Sequence, residues 1–154
     1  MTSNTQQQNT PNPPEFLIQR IYIKDLSFET PHSPQIFLKE FQPEISMDIN
    51  IKTNNLEKDA YEIVLSITVT AKAQDKIAFL TEVQQAGIFT LKGFPQDQLK
   101  GLLGIFCPQM LYPYVREVIT NLTTKGGFPP LYLQPINFEA LYMQQQAAQG
   151  DVKH

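Results

Sequence analysis

The chain has 154 residues, 42% of them apolar, a formal net charge of −3 and a single cysteine. That is enough apolar material for the core of one domain of ordinary size, and one cysteine excludes an internal disulfide and fits a reducing compartment. No cluster of five basic residues exists to hold a nucleic-acid backbone, no apolar run nears the ~18 residues of a membrane span, and no apolar block opens the chain as a signal peptide would.

Residues 1–14, MTSNTQQQNTPNPP, carry almost nothing apolar and read as a disordered tail. Phe16 to Glu29 is rich in β-branched and aromatic residues and reads as a strand. Its alternation slips between Ile18 and Ile21, which predicts a bulge at Gln19-Arg20. Thr30 to Pro43 holds three prolines and must be a crossover loop. It also holds Ile36, Phe37, Leu38 and Phe41, too many large apolar groups for a solvated loop, so it is packed down or serves as a binding edge.

Ile45 to Lys52 alternates cleanly, with Ile45, Met47, Ile49 and Ile51 on one face. Thr53-Asn54-Asn55 reads as a turn. Tyr61 to Lys72 is the strongest strand: Tyr61, Ile63, Leu65, Ile67 and Val69 face in, while Glu62, Ser66, Thr68 and Thr70 face out. Gln74-Asp75-Lys76 turns the chain into a fourth strand, Ile77 to Leu91, with Gly87 as an expected irregularity.

Leu99 to Lys125 reads as one long helix with more apolar residues than one face needs. Leu103, Cys107, Met110, Tyr114 and Val118 recur at helical steps, and so do Phe106, Leu111, Val115, Ile119 and Leu122. One stripe is expected to cover the sheet and the other to join subunits. Pro108 and Pro113 predict a kink or break, and Lys125-Gly126-Gly127 predicts the helix end. A Pro-rich loop over 128–135 precedes a short helix capped by Asn137, with Phe138, Leu141 and Tyr142 as its stripe. Residues 144–154 are expected to fray. The reading is one domain over 15–143 of α+β class: a four-stranded antiparallel sheet covered by one long helix, plus a short C-terminal helix.

Catalytic signals are thin. Cys107 would need a base nearby, and the histidines are His32 in the crossover loop and His154 at the terminus, so Cys107 reads as packing. One cysteine and two distant histidines supply no metal set, and no phosphate-binding glycine motif occurs, so no cofactor is expected. The carboxylates Asp25, Glu29 and Glu82 lie on strands; periodicity alone favours a solvated face over a docking patch for a basic segment. The surplus of apolar groups fits either burial in an oligomer or a groove for apolar segments of a partner. A rival enzyme reading, a helix wrapped by a sheet as in hot-dog thioesterases, would have only Asp97 to work with.

IQRIYIKDLSFE (Ile18 to Glu29), YEIVLSITVTA (Tyr61 to Ala71), AFLTEVQQAGIF (Ala78 to Phe89), GIFCPQMLYPYVREVIT (Gly104 to Thr120) and GGFPPLYLQPINFEALYM (Gly126 to Met143) together resemble the SecB family of proteobacterial export chaperones. The resemblance covers Phe16 to Met143. It implies a cytoplasmic holdase without ATPase activity, assembled as a homotetramer, a dimer of dimers joined through the long helices. Carried over by motif, the client-binding groove falls on Phe37, Phe41, Ile45, Met47, Phe79, Phe138, Leu141 and Tyr142. The contact with the translocation motor SecA falls on Asp25, Glu29, Leu80 and Glu82, which turns the reading of those acids from solvated face to docking patch; any zinc there belongs to SecA's tail. The oligomer interface falls on Phe106, Met110, Leu111, Val115, Ile119 and Leu122. The sequence departs from the family in having no Trp, with Phe41 at the matching place, and in a less acidic C-terminus, Asp151-Val152-Lys153-His154.

Overall fold

The computed structural model describes residues 12–151. Four antiparallel strands form one sheet: β1 (Glu15–Glu29), β2 (Glu44–Glu57), β3 (Ala60–Ala73) and β4 (Lys76–Lys92). Their order is β1-β4-β3-β2, so the first two strands are opposite edges. The segment 30–43 therefore crosses one whole end of the sheet, which is why it carries apolar anchors, and it includes a 3-10 turn at Gln35–Leu38.

Two β1 bulges shift its register, one between Ile18 and Arg20 as the sequence predicts and a second between Ile23 and Asp25. β2 is longer than its alternating stretch. Thr53, Asn54 and Asn55 do not turn but pair with Ile63, Glu62 and Tyr61. The turn sits at Lys58-Asp59, where Asp59 takes φ 65°, a conformation a short polar side chain tolerates. Pairing to a buried strand outweighs the turn propensity of two asparagines, and Asn54 gains a side-chain partner described below.

Gly87 is not an irregularity either; it pairs regularly with Ile21 and Ile63. A Cβ there would lie 2.8 Å from the Phe89 ring and 3.1 Å from Leu111. Glycine lets the long helix approach the sheet.

The helical region runs as α1 (Gln96–Gly101), a π turn over Leu102–Phe106, and α2 (Cys107–Lys125). The Cys107 N–H reaches back five residues to the Leu102 carbonyl. The wider turn lies directly before Pro108 and accommodates its missing donor. No break occurs at Pro113, whose exposed flank leaves the freed carbonyl to water.

The π turn adds a residue to one turn and so rotates α2 relative to α1; within α2 the sheet-facing row recurs every four residues. Cys107, Leu111, Val115 and Ile119 are all 0% exposed against Ile63, Leu65, Ile67 and Val69 of the sheet. Leu111, Val115 and Ile119 therefore leave the expected interface set: they are spent in the core of their own chain. Phe106 and Tyr114 are exposed, and Met110, Val118 and Leu122 are half-buried. The outward stripe is thus Phe106, Met110, Tyr114 and Val118, with Leu122 at its margin.

α3 (Phe138–Asp151) opens on Asn137, whose side-chain oxygen accepts from the Ala140 N–H at 3.0 Å. It is helical through Asp151, eight residues into the segment expected to fray. The first eleven residues of the expected N-terminal tail, and residues 152–154 with His154, lie outside the described residues.

Candidate functional site

The end of α2 builds the first part of the site. Gly127 adopts φ 90°, the Phe128 N–H bonds the Thr123 carbonyl and the Gly127 N–H bonds the Thr124 carbonyl. This paired termination turns the chain sharply and drives Phe128 into the core. The segment beyond it runs back along α2. Thr120 donates to the Leu131 carbonyl, the Leu131 N–H donates to the Thr123 hydroxyl, and Tyr112 donates to the Gln134 carbonyl. Two helix threonines and a tyrosine thus hold a Pro-rich segment in extended form.

Phe128, 5% exposed, is the hub of an aromatic floor. Its ring centroid lies 5.1 Å from Phe37, 5.2 Å from Phe41 and 5.1 Å from Phe79. Phe79 also stacks on Phe28 at 5.7 Å. Ile45, Ala71 and Phe79 form one row across β2, β3 and β4. The small middle residue leaves a hollow over the row. A pocket of about 290 Å³ opens there, lined by Phe41, Pro43, Ile45, Phe79, Pro129, Pro130 and Leu131. Met47 is the next residue along this face of β2, and Ile45 and Met47 remain 42% and 36% exposed.

Three of the expected groove residues, Phe41, Ile45 and Phe79, therefore line this pocket; Phe37 joins them through Phe128, and Met47 follows Ile45 on the same face of β2. The other three do not reach it. Phe138 is 3% exposed and sits edge-to-face on Tyr112 at 5.6 Å. Tyr142 packs on Gly104, where a Cβ would meet its ring at 2.5 Å. Leu141 is half-buried beside the same core. Gly104 and Phe128 lie at opposite ends of a helical run that spans on the order of 35 Å. Pro129, Pro130 and Leu131 are pocket residues the sequence reading missed. Their only signal was the prolines, which exclude helix but do not say what the segment lies against.

The opposite face of the sheet mixes buried Val64 and Ala86 with polar and charged side chains. Glu29 pairs with Leu80, Ser27 with Glu82 and Asp25 with Gln84, so Asp25, Glu29, Leu80 and Glu82 share one end of this outer face. Asp25 and Glu29 are exposed; Leu80 and Glu82 are half-buried. Gln84 donates to Glu82 at 3.3 Å. Asp48 belongs with them: it pairs with Thr68, which pairs with Glu82. The polar phase of its strand was legible, but the row it joins depends on register.

Further along this face stands a group sequence reasoning did not find. Glu62 is only 8% exposed. It accepts hydrogen bonds from Tyr22, from Lys24 at 3.0 and 3.1 Å, and from Asn54 at 2.9 Å. Tyr22 reaches it across Ala86, a residue too small to block the way. The donors come from both edge strands, so the network ties β1, β3 and β2 together over β4. The Tyr22 hydrogen bond, with Lys24 and Asn54, outweighs burial and holds the Glu62 carboxyl down at about 2. Burial, with the Glu62 charge, pushes the Tyr22 hydroxyl up to about 12.

Cys107 is wholly buried, and burial pushes its thiol up to about 12, far from a nucleophilic thiolate. The fold and these surfaces define a sheet-and-helix protein with an apolar pocket at one face and an acidic patch on the other. The family profile described as preprotein translocase subunit SecB matches residues 6–149. The chain belongs to the SecB family. It is 49% identical over 160 residues to the protein-export protein SecB of Nitrosococcus oceani, covering 99% of this chain and 98% of that one. It is 54% identical over 142 residues to the protein-export protein SecB of Legionella pneumophila strain Corby, covering 92% and 86%. The fold resembles that of a Mycobacterium tuberculosis SecB-like chaperone solved with a peptide from an antitoxin, with TM-score 0.66, 16% identity, and coverage of 79% and 90%.

Proposed function

We propose that this chain is an ATP-independent export chaperone that holds unfolded precursor polypeptides and passes them to SecA. The observation that carries the reading is the open pocket of about 290 Å³ set on the Phe128 floor. An unfolded segment gives up water-exposed apolar surface there, at roughly 25 cal/mol per Å² buried. Several weak sites on one assembly raise the total affinity through effective concentration.

The working unit is a cytoplasmic homotetramer, a dimer of dimers. The outward stripe of Phe106, Met110, Tyr114 and Val118 supports association, because it leaves apolar surface on a helix whose other face is fully used. Asp25, Glu29, Leu80 and Glu82 receive SecA and the zinc-bearing tail of that partner; Asp48 extends the patch. The chain acts by binding rather than catalysis, and the buried thiol of Cys107 supports that.

The decisive experiment is size exclusion with light scattering, on the protein alone and with a denatured precursor. A mass of four subunits that takes up the unfolded chain and ignores its folded form is expected. A tetramer indifferent to the unfolded chain leaves only a scaffold, and the groove assignment falls with it.

A further inference from the structure

We infer that Glu62 is a positioning residue for the acidic face: it holds Lys24 away from Asp25 and so keeps that face open to a cationic segment. The inference rests on the docking reading of Asp25, Glu29 and Glu82.

The second bulge of β1 lies between Ile23 and Asp25. Ile23 faces the core side opposite Gln85, and Asp25 faces outward opposite Gln84. The extra residue, Lys24, is thereby on the same outer face as Asp25. A lysine beside an exposed carboxylate has an obvious partner. Here Lys24 instead turns to Glu62, two strands away, in the only ion pair among the described residues.

The geometry says why Glu62 wins. Its carboxylate is fixed by Tyr22 from one edge strand and Asn54 from the other, so Lys24 alone has a side chain to order. Pairing with exposed Asp25 would order two. The Lys24 side chain is 45% exposed, against 10% for Glu62. It is therefore free to swing if Glu62 loses its charge. The nearest alternative anion is its chain neighbour, Asp25, and a cation there would neutralise part of the patch where a basic segment must land.

The test is binding of a fluorescein-labelled lysine-rich peptide to the full chain at roughly 0.1 M salt, where exposed charges act over about 10 Å. Each variant has a control with the same change in net charge where β2 meets the β2–β3 turn, at Glu57 or Lys58. Glu62→Gln should weaken binding about fivefold, while Glu57→Gln changes it less than about twofold. Lys24→Met and Lys58→Met should be alike, because a sequestered lysine contributes nothing to repulsion. The double variant Glu62→Gln/Lys24→Met should return to about the wild-type affinity.

If Glu62→Gln behaves as Glu57→Gln does, or the double stays as weak as the single, the inference is overturned. So it is if Lys24→Met tightens binding severalfold beyond Lys58→Met, since Lys24 would then already occupy the acidic end. This last comparison leaves the Glu62 network's carboxylate intact, so it stands even if Glu62→Gln does not fold. Glu82→Gln separates the two readings: no loss of peptide there removes the docking face itself, whereas a loss there with an unremarkable Glu62→Gln removes only the role of Glu62.

Discussion

The two faces of this sheet are built from the same strands and do opposite things. On β4, Phe79 is 2% exposed on the aromatic floor, and Leu80, the next residue, is half-buried on the acidic side. The inner face is organised by shape. One ring, Phe128, touches three others, and a row containing Ala71 leaves a hollow. The outer face is organised by charge, with one carboxylate holding three donors. A pleated sheet makes this division inexpensive, because along a regular strand successive side chains point to opposite faces. A protein that must hold one partner and address another can therefore tune the two separately.

The strongest way to break the inner face is Phe128→Ala. The ring is 5% exposed and central, so its loss should cost about 3–5 kcal/mol, as for other buried aromatics. Denaturant unfolding reads this directly. A loss under about 1 kcal/mol would mean that the loop and floor re-pack around the gap.

The corresponding test of the outer face is acid. Glu62 is held at about 2, below its ordinary 4.5. Its contribution is therefore fully present above pH 4.5 and is lost as pH falls towards 2. Stability should drop by about 1.5–3 kcal/mol across that window, the worth of hydrogen bonds to a buried charge. Glu62→Gln should flatten this limb of the pH profile. An unchanged limb would assign the acid sensitivity to other carboxylates.

These two features were unequally legible in the sequence. The alternation over Tyr61 to Lys72 was plain because β3 packs its inner residues to zero exposure. The bulge at Gln19 was plain because the apolar phase slips there. Glu62 looked like any outward acid. Its burial depends on Tyr22 and Lys24 reaching over Ala86, hence on β1 lying beside β4, which no local pattern encodes. The long helix shows a different failure. Its two stripes were visible, but the row that meets the sheet, Cys107, Leu111, Val115 and Ile119, was divided between them, and only the packing on β3 shows that Leu111, Val115 and Ile119 belong to the core. Phe138 was recognised as apolar, yet only the path of 128–137 along α2 shows that it is used up on Tyr112.

Smaller effects probe binding rather than stability. Phe41 is half-buried at the pocket mouth, so Phe41→Ala should weaken capture of an unfolded precursor by about tenfold, a modest hot-spot value, while the oligomer persists. Unchanged capture would move the client away from this pocket. Glu82→Lys should weaken SecA binding by about 1–2 kcal/mol and leave precursor capture alone. Isothermal titration with each partner distinguishes these outcomes, and loss of both activities in one variant would refute separate sites.

The smallest expected effect is the most informative about the two faces. In the double variant Phe41→Ala/Glu82→Lys, each partner should respond as it does to its own single change, with a coupling below about 0.5 kcal/mol. The two side chains point to opposite sides of the sheet, and among the described residues no side-chain hydrogen bond joins Phe41 or Phe128 to Glu82 or Gln84. Phe41 rests on Phe128; Glu82 accepts from Gln84. β1 offers a side route, with Phe28 stacked on Phe79 and Ser27 opposite Glu82, and the direct one is β4, where Phe79 and Glu82 are three residues apart on a strand paired along both edges. Such a strand transmits little of a side-chain change on one face to the other. A coupling above about 1 kcal/mol would therefore require the strand to shift as a unit when a client is bound. In that case filling the apolar pocket would itself alter the acidic face, and release to the motor would be driven from the inside of the sheet rather than by competition at its surface.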